Sequence, residues 1–426
     1  MLDIAILDGV RTPFVKAFGM LASVPAHDLG RRVTQVVLER AGVRPEQVDQ
    51  VVFGNTATPP DAANIARVIA LRAGIPPDRG AHTVHRNCAS GMEAITTAAQ
   101  LLRLGEARTV VAGGVESMSR IPLLYGAEAA DLFQQLARGK GWWAKLRALL
   151  HFRPHHFRPV PAVRLGLTDP VCGLTMGETA EVLAEEFAIP REEQDAFALE
   201  SHRRATAAQQ SYVLDQEITP LFLEKTAQEV KEDIGPRKDQ SMPALARLKP
   251  VFRKDGTVTV GNSCTITDGA AAVVLMPGEA ARAEGRTPLG YLRAYAYVGC
   301  DPRRMGLGPV YATSRLLERT GLALRDIDRI ELNEAFAAQV LACERAFASD
   351  RFAQQELGRK AALGEIDRSR LNVNGGAIAL GHPIGATGAR LVITLLKELR
   401  RRKRRRGLAT LCVGGGQGAA LLLESE

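Results

Sequence analysis

Twice along this chain a turn of glycine and other small residues opens a helix that leads into a short apolar run. In the first 120 residues, 4–7 and 51–53 are apolar and strand-like, while 29–39 and 62–72 have helical periodicity. Val110-Val111-Ala112-Gly113 is apolar throughout, as a strand covered on both faces must be. From about 275 the rhythm returns, with strands at 330–332 and 408–413 and helices at 335–347 and 389–400. Such an internal duplication predicts two βαβ-rich halves packed on one another, with any site at the turns where they face.

The stretch between the halves, 121–250, follows a different pattern. Two long helices are expected at 177–187 and 191–210, the second starting after Pro190 as a helix start should. Before them, 139–161 carries both tryptophans of the chain, side by side. Trp142, Trp143, Leu146, Leu149, Leu150 and Phe152 form an apolar stripe, with Lys140, Lys145, Arg147, Arg153 and Arg158 interleaved or adjacent. Two readings stand. The segment packs on its own core, or its aromatic and cationic residues meet a membrane interface or a partner helix.

With 426 residues, 46% of them apolar and 24% charged, the chain can bury a large core. Cysteines at 88, 172, 264, 300, 343 and 412 show no paired spacing and no metal-ligand pattern. Met1 to Leu7 already reads as a strand, so a reducing cytoplasm and free thiols are expected. No apolar run is long enough to span a bilayer. Part of the net charge of +8 is one basic run, 400–406, read as a solvated helix end whose cations suit the C-terminal dipole. A nucleic-acid partner is not expected, because no aromatic interleaving or binding motif accompanies that run.

The chemistry gathers at three small-residue turns. Cys88, in His85-Arg86-Asn87-Cys88-Ala89-Ser90-Gly91-Met92, is read as standing at the first turn of a helix. Backbone N–H groups there stabilise a thiolate and lower its pKa, and small neighbours admit a substrate. His382 is held between Gly381 and Pro383, and Cys412 opens Cys412-Val413-Gly414-Gly415-Gly416. A nucleophile, a base and a second thiol suggest acyl transfer on a thioester. No phosphate-binding or dinucleotide fingerprint is present.

These boxes resemble the thiolase family. Asn87-Cys88-Ala89-Ser90-Gly91 is similar to its nucleophile motif, Asn333-Glu334-Ala335-Phe336 to its NEAF box, and Gly381-His382-Pro383 and Cys412-Val413-Gly414 to its GHP and CxG boxes. Gly113-Gly114-Val115-Glu116-Ser117-Met118-Ser119 and Met176-Gly177-Glu178-Thr179-Ala180-Glu181 match as well, and the boxes run in family order along almost the whole chain. The resemblance implies an α/β thiolase fold, with two duplicated βαβαβ-type halves in a layered αβαβα core. The halves would be 1–120, completed by about 251–273, and 274–426, with a loop domain at 121–250 covering the acyl-CoA.

The implied activity is that of a 3-ketoacyl-CoA thiolase of fatty-acid β-oxidation, in which coenzyme A cuts a 3-ketoacyl-CoA into acetyl-CoA and a shortened acyl-CoA. Cys88 would carry the acyl group. His382 would take its proton and later hydrogen-bond the thioester oxygen. Cys412 would act as acid or base at the α-carbon. The N–H groups of Cys88 and Gly414 would form one oxyanion hole, and Asn333 would hold a water that completes a second with His382. Met176, Cys264, Ala335 and Phe336 are expected at the substrate, with Cys264 in the pocket wall and not a catalyst. Coenzyme A is a co-substrate, and no other cofactor and no metal is implied. The implied assembly is a homodimer or a dimer of dimers. The lengths of 121–172 and 349–370 look like those of the β-subunits of fatty-acid oxidation complexes. Segment 139–161 would then dock the hydratase/dehydrogenase subunit or make a peripheral membrane contact. Alternatives are an acetyl-CoA C-acetyltransferase, a decarboxylating ketosynthase, against which Cys412 argues, and a non-catalytic acyl-CoA-binding module.

Overall fold

The computed structural model describes residues 3–224 and 226–426. A single ten-stranded sheet runs through it. In the first half the strands are β1 (Ile4–Arg11), β2 (Gln50–Gly54), β3 (Gly80–Val84), β4 (Val110–Ser117) and β5 (Thr267–Pro277). In the second they are β6 (Gly290–Gly299), β7 (Arg329–Leu332), β8 (Arg406–Val413) and β9 (Gln417–Glu424). The two-residue strand Val15–Lys16 pairs with β5.

The order β7-β8-β9-β6-β1-β5-β4-β2-β3 makes the duplication visible. Each half places its last strand antiparallel between its first and its next-to-last: β5 between β1 and β4, and β9 between β6 and β8. Parallel pairs follow, β4–β2–β3 and β8–β7. Leu371 bridges Ile330 in parallel, where β3 stands in the other half. The halves join through β1 and β6 at Ile4↔Leu292.

Three apolar clusters account for the layers. Helices α1 (Ala26–Ala41) and α2 (Ile65–Arg72) cover the outer face of the first half, with Val33, Val37 and Ile69 against Phe53, Val111 and Val274. Helices α8 (Gly308–Thr320) and α9 (Ala337–Phe347) do the same for the second, with Leu316 and Val340 against Leu332 and Leu422. Between the half-sheets lie α3 (Ser90–Arg103) and α10 (Ile384–Arg401), whose Met92, Ile95, Leu391 and Leu395 share one cluster with strands of both halves. The expected αβαβα layering is what forms.

Helices α3 and α10 cross backbone to backbone. A Cβ on Gly91 would sit 2.7 Å from Ala389 N, and one on Gly388 would sit 2.5 Å from Met92 N. Any side chain at either position would force the helices apart. This crossing brings the two N-terminal ends, and the turns that precede them, to one place.

Some expected boundaries shift for local reasons. Helix α9 begins at Ala337, not at Ala335, because Phe336 is extended and Ala335 O accepts Cys264 N–H. Asn64 caps α2, so the helix starts three residues later than periodicity suggests. Helix α10 begins at Ile384, five residues before the expected 389, because Pro383 fits a helix start. The basic run 400–406 is a helix end only as far as Arg401. Lys403 is left-handed and Arg406 begins β8.

The insert holds α4 (Ala127–Arg138) and α5 (Trp142–Leu150), then α6 (Met176–Glu186) and α7 (Arg191–Gln210). The reading of 139–161 as packed on its own core is overturned: Ala148 alone is buried in α5, and Trp142 and Trp143 are 62% and 66% exposed. Phe133 and Phe152, with ring centres 5.0 Å apart, hold α4 to the chain after α5. Gly139 and Gly141 precede α5, and α4 is the helix beside it.

Candidate active site

Cys88 is reached from β3 through Arg86 and Asn87. Asn87 has φ +42°, a left-handed conformation that asparagine tolerates. Its Nδ2 donates to Gly414 O at 2.7 Å, which binds the nucleophile turn to the glycine turn after β8. Ser90 Oγ accepts from Arg86 N at 2.9 Å and donates to Asn87 O at 2.7 Å, closing the turn. Cys88 stands ahead of Ala89, the residue that precedes α3, so it lies outside the first helical turn where the sequence placed it.

The expected lowering of its pKa is reversed. Burial pushes the Cys88 thiol up, and N–H groups of Gly414 and of Cys88 itself, directed at the sulfur, pull it only part of the way back. Both N–H groups thus face the nucleophile from adjoining turns of the two halves.

His382 is 7% exposed, with Gly381 at φ +100° and Pro383 on either side. Burial first, and Arg390 second, lower its pKa to about 4, so the ring is neutral near pH 7. Its tautomer follows from the bonds. Thr387 Oγ1 donates to Pro383 O at 3.0 Å and lies 2.6 Å from His382 Nδ1. That hydroxyl has one proton, so Nδ1–H must donate to it, and the lone pair of Nε2 is free to accept. Nε2 is buried and has no protein partner.

Asn333 follows β7, wholly buried, and neither carboxamide atom has a protein partner. A buried amide of this kind suits a bridging water or a substrate oxygen. Cys412, at the end of β8, is 1% exposed, and burial raises its thiol well above the ordinary range, with the nearby thiols of Cys88, Cys343 and Cys264 adding to the rise. Burial and Cys88 push Cys264 up to about 12. The three thiols lie near one another, Cys412 buried and Cys88 and Cys264 half-buried, and all favour the protonated form.

A cavity of about 500 Å³ opens onto this point. Cys88, Asn87, Gly414 and Met176 line it, and Met118 together with Ile121, Leu124, Val163 and Leu167 of the insert gives it an apolar wall. Of the residues expected at the substrate, Met176 is in the lining. Ala335 and Phe336 pack against Cys412 behind it, and Cys264 lies outside the lining. The sequence reading gave no role to Asn87, Thr387, Glu116 or the apolar wall. Glu116 was legible within its Gly-Gly-Val-Glu box, but its partners lie far away in the sequence.

Among the described residues, one cluster has the composition of a metal site: the ligand atoms of Glu128, His155 and His156 lie within 4.8 Å of one another. His156 Nδ1 accepts Arg153 N–H at 3.0 Å, so its Nε2 carries the proton and faces Glu128 Oε2, 3.5 Å away. That tautomer offers the carboxylate a donor and a metal no lone pair.

Two family profiles match the chain: the thiolase N-terminal domain over residues 4–279 and the thiolase C-terminal domain over 286–425. A 3-ketoacyl-CoA thiolase of Pectobacterium atrosepticum is 43% identical over 424 residues, covering 99% of this chain and 96% of the relative. One of Yersinia enterocolitica is 42% identical over 426 residues, covering 99% and 97%. Among solved structures, the Bacillus anthracis acetyl-CoA acetyltransferase superposes with a TM-score of 0.88 at 40% identity, covering 100% of this chain and 99% of the other. The human mitochondrial 3-ketoacyl-CoA thiolase in complex with CoA does so with 0.86 at 37%, covering 99% and 98%.

Proposed function

The chain belongs to the thiolase family, and on that premise we propose that it cleaves 3-ketoacyl-CoA with coenzyme A, giving acetyl-CoA and a shortened acyl-CoA. The observation that carries this reading is the convergence at Cys88: two N–H groups face its sulfur, Cys412 lies buried near it, and Cys88 itself lines a largely apolar cavity.

The thiol of Cys88 gives its proton to Nε2 of His382 as its sulfur attacks the 3-keto carbon. Raised thiol and lowered imidazole mean that the resting pair is neutral, so the thiolate forms only as the new bond forms. The carbonyl oxygen takes the negative charge and is held by the N–H groups of Cys88 and Gly414. Each such donor contributes about 3 kcal/mol to a barrier of this kind. Collapse breaks the bond between C2 and C3, leaving an acyl thioester on Cys88 and the enolate of acetyl-CoA. The enolate oxygen is held by the Nε2–H that His382 has just gained and by a water on Asn333. Cys412 protonates C2. After acetyl-CoA leaves, the thiol of coenzyme A loses its proton to the Cys412 thiolate and attacks the thioester. Cys88 leaves and recovers its proton from His382.

A second reading, an acetyl-CoA C-acetyltransferase, rests on the 40% identity to the Bacillus anthracis enzyme of that name. Thiolysis across chain lengths, from acetoacetyl-CoA to 3-ketopalmitoyl-CoA, separates the two. Activity confined to acetoacetyl-CoA would favour the second. No thiolysis at any length would sink both and leave a binding module.

Our division of the chain is 1–120 with 251–273, an insert 121–250, and 274–426, supported by β5 returning to the sheet between β1 and β4. The homodimer, or dimer of dimers, is supported by β3, an edge strand open to pairing. A cytoplasmic setting is supported by six free cysteines. For α4–α5 the occupant we favour is an anionic lipid surface. Between 127 and 158 stand six Lys and Arg against two carboxylates, and the apolar side chains of α5 are exposed. No helix among the described residues is long and apolar enough to cross a membrane, so contact would be peripheral. Capture of a hydratase/dehydrogenase subunit, with no vesicle binding, would give this face to the protein partner instead.

A further inference from the structure

We propose that Glu116 is a positioning residue that sets the Cys88 nucleophile against the His382 base by tying the walls of both halves to one carboxylate. The inference rests on the thiolysis reading above and adds to it a residue that touches no substrate.

Glu116 ends β4 with no exposed surface. Its Oε1 accepts from Asn55 Nδ2 at 2.8 Å and Ala57 N at 3.0 Å. Its Oε2 accepts from Thr56 N at 3.0 Å, Thr56 Oγ1 at 2.5 Å and Gly385 N at 3.0 Å. Four of these five partners are N–H groups, and the Thr56 hydroxyl alone could accept instead of donate, so the carboxylate satisfies every partner even though burial raises its pKa.

The donors come from both halves of the site. Thr56 and Ala57 follow β2 and line the cavity. Gly385 is the second residue of α10, three residues after His382. The first turn of a helix has N–H groups without partners, and Pro383 has no side chain to cap them. Glu116 supplies that cap from the opposite half, with the charge that the helix N-terminus favours. Local packing adds constraint. A Cβ on Gly114 would lie 1.8 Å from Gly385 O, so β4 and the His382 turn touch with no side chain between them. Sterics fix how close they come. Glu116 fixes the register, because its two oxygens each bind a different set of donors. Glutamine cannot replace it: wherever its NH2 group is placed, it faces at least two donors.

The test separates steps that need both turns from one that needs Cys88 alone. Exchange of label between acetyl-CoA and free coenzyme A requires Cys88 and His382 together, whereas alkylation of Cys88 by iodoacetamide requires only the fraction of Cys88 present as thiolate. In Glu116→Gln, kcat for exchange should fall about 100-fold, the scale of a displacement near 1 Å, with KM for acetyl-CoA and the alkylation rate within about threefold. Glu116→Asp keeps both acceptor oxygens and should recover roughly tenfold of that loss. If Glu116→Gln does not fold, Thr56→Val removes one donor and leaves the charge, and exchange should fall about fivefold with alkylation unchanged. Exchange within threefold of wild type in the variant used overturns the assignment. So does a parallel fall of exchange and alkylation, which would make Glu116 a support of the Cys88 turn alone. A wild-type protein that alkylates at Cys88 but exchanges no label overturns the proposed chemistry, and this inference with it.

Discussion

Helices α3 and α5 each carry seven apolar residues, α5 in the shorter span, and end in opposite situations. Nine of the fourteen residues of α3 are buried, and the turn before it holds Cys88 where its own N–H and that of Gly414 face the sulfur. One of the nine residues of α5 is buried, and its tryptophans face outward. Packing gives most of the stability of a protein helix, so α3 is fixed by the fold while α5 hangs from a few aromatic contacts. Substitutions near Cys88 should therefore act on chemistry, and those on α5 on what the protein touches.

The largest effect should come from Cys88 itself. Cys88→Ser should lower kcat by about 10⁵ or more, the scale seen when a nucleophile that acts with its base is removed. A neutral imidazole near 4 cannot ionise a serine hydroxyl. Mass spectrometry of the native protein with acetyl-CoA should place an acetyl group on Cys88. Modification of Cys264 or Cys300 with Cys88 left free would remove Cys88 from the mechanism.

Next is Cys412→Ala, which divides the site within itself. Thiolysis should fall about 10³-fold, while exchange of label between acetyl-CoA and coenzyme A should fall by no more than about tenfold, because exchange loses only the proton acceptor for the coenzyme A thiol, whereas carbon–carbon cleavage also loses the proton donor to C2. Equal losses in the two assays would make Cys412 a packing residue.

These roles were legible because each lies in a short box with a characteristic neighbour: Gly beside His382, Gly two places after Cys412, small residues after Cys88. What joins the boxes was not. Asn87 to Gly414 O spans 327 residues, and Glu116 to Gly385 spans 269. The two βαβ-rich halves could be read from periodicity, since strands covered on both faces are apolar throughout, while their layering followed only from the family resemblance. The exposure of α5 could not, because a stripe of tryptophan and leucine looks the same whether it is covered or bare. The pKa of Cys88 was misread for a related reason: the sequence suggests a helix start but not how dry that place is.

A smaller effect ties the site to global stability. His382 is held neutral, with its pKa lowered to about 4. Unfolding exposes it to water, where it takes a proton below about pH 6.5. Between those values the unfolded chain binds more protons, so stability is full above pH 6.5 and is lost as pH falls toward 4. The loss approaches one proton, about 1.4 kcal/mol per pH unit, in the middle of that window. His202, buried and likewise lowered to about 4, adds its own share over the same window. In urea titrations, His382→Asn should flatten the slope between pH 6 and 4.5 by up to one proton. An unchanged slope would mean that the imidazole is solvated in the fold.

The smallest effect on the fold should come from α5. Replacing Trp142 and Trp143 by alanine removes side chains that are mostly in water, so unfolding stability should move by no more than about 0.5 kcal/mol and thiolysis of acetoacetyl-CoA should not change. The consequence should appear at a surface instead. Both tryptophans of the chain stand at these two positions, so intrinsic tryptophan fluorescence reports on this helix and nothing else. Vesicles containing phosphatidylserine should shift the emission to the blue as the rings leave water. Purely zwitterionic vesicles should shift it less, because Lys140, Lys145 and Arg147 then have no anionic partner. High salt should reverse the shift in part. If emission is unmoved by either vesicle, α5 does not meet lipid, and its exposed face belongs to a protein partner. If stability falls by several kcal/mol in the double alanine variant, the helix is packed after all, and the contrast with α3 disappears.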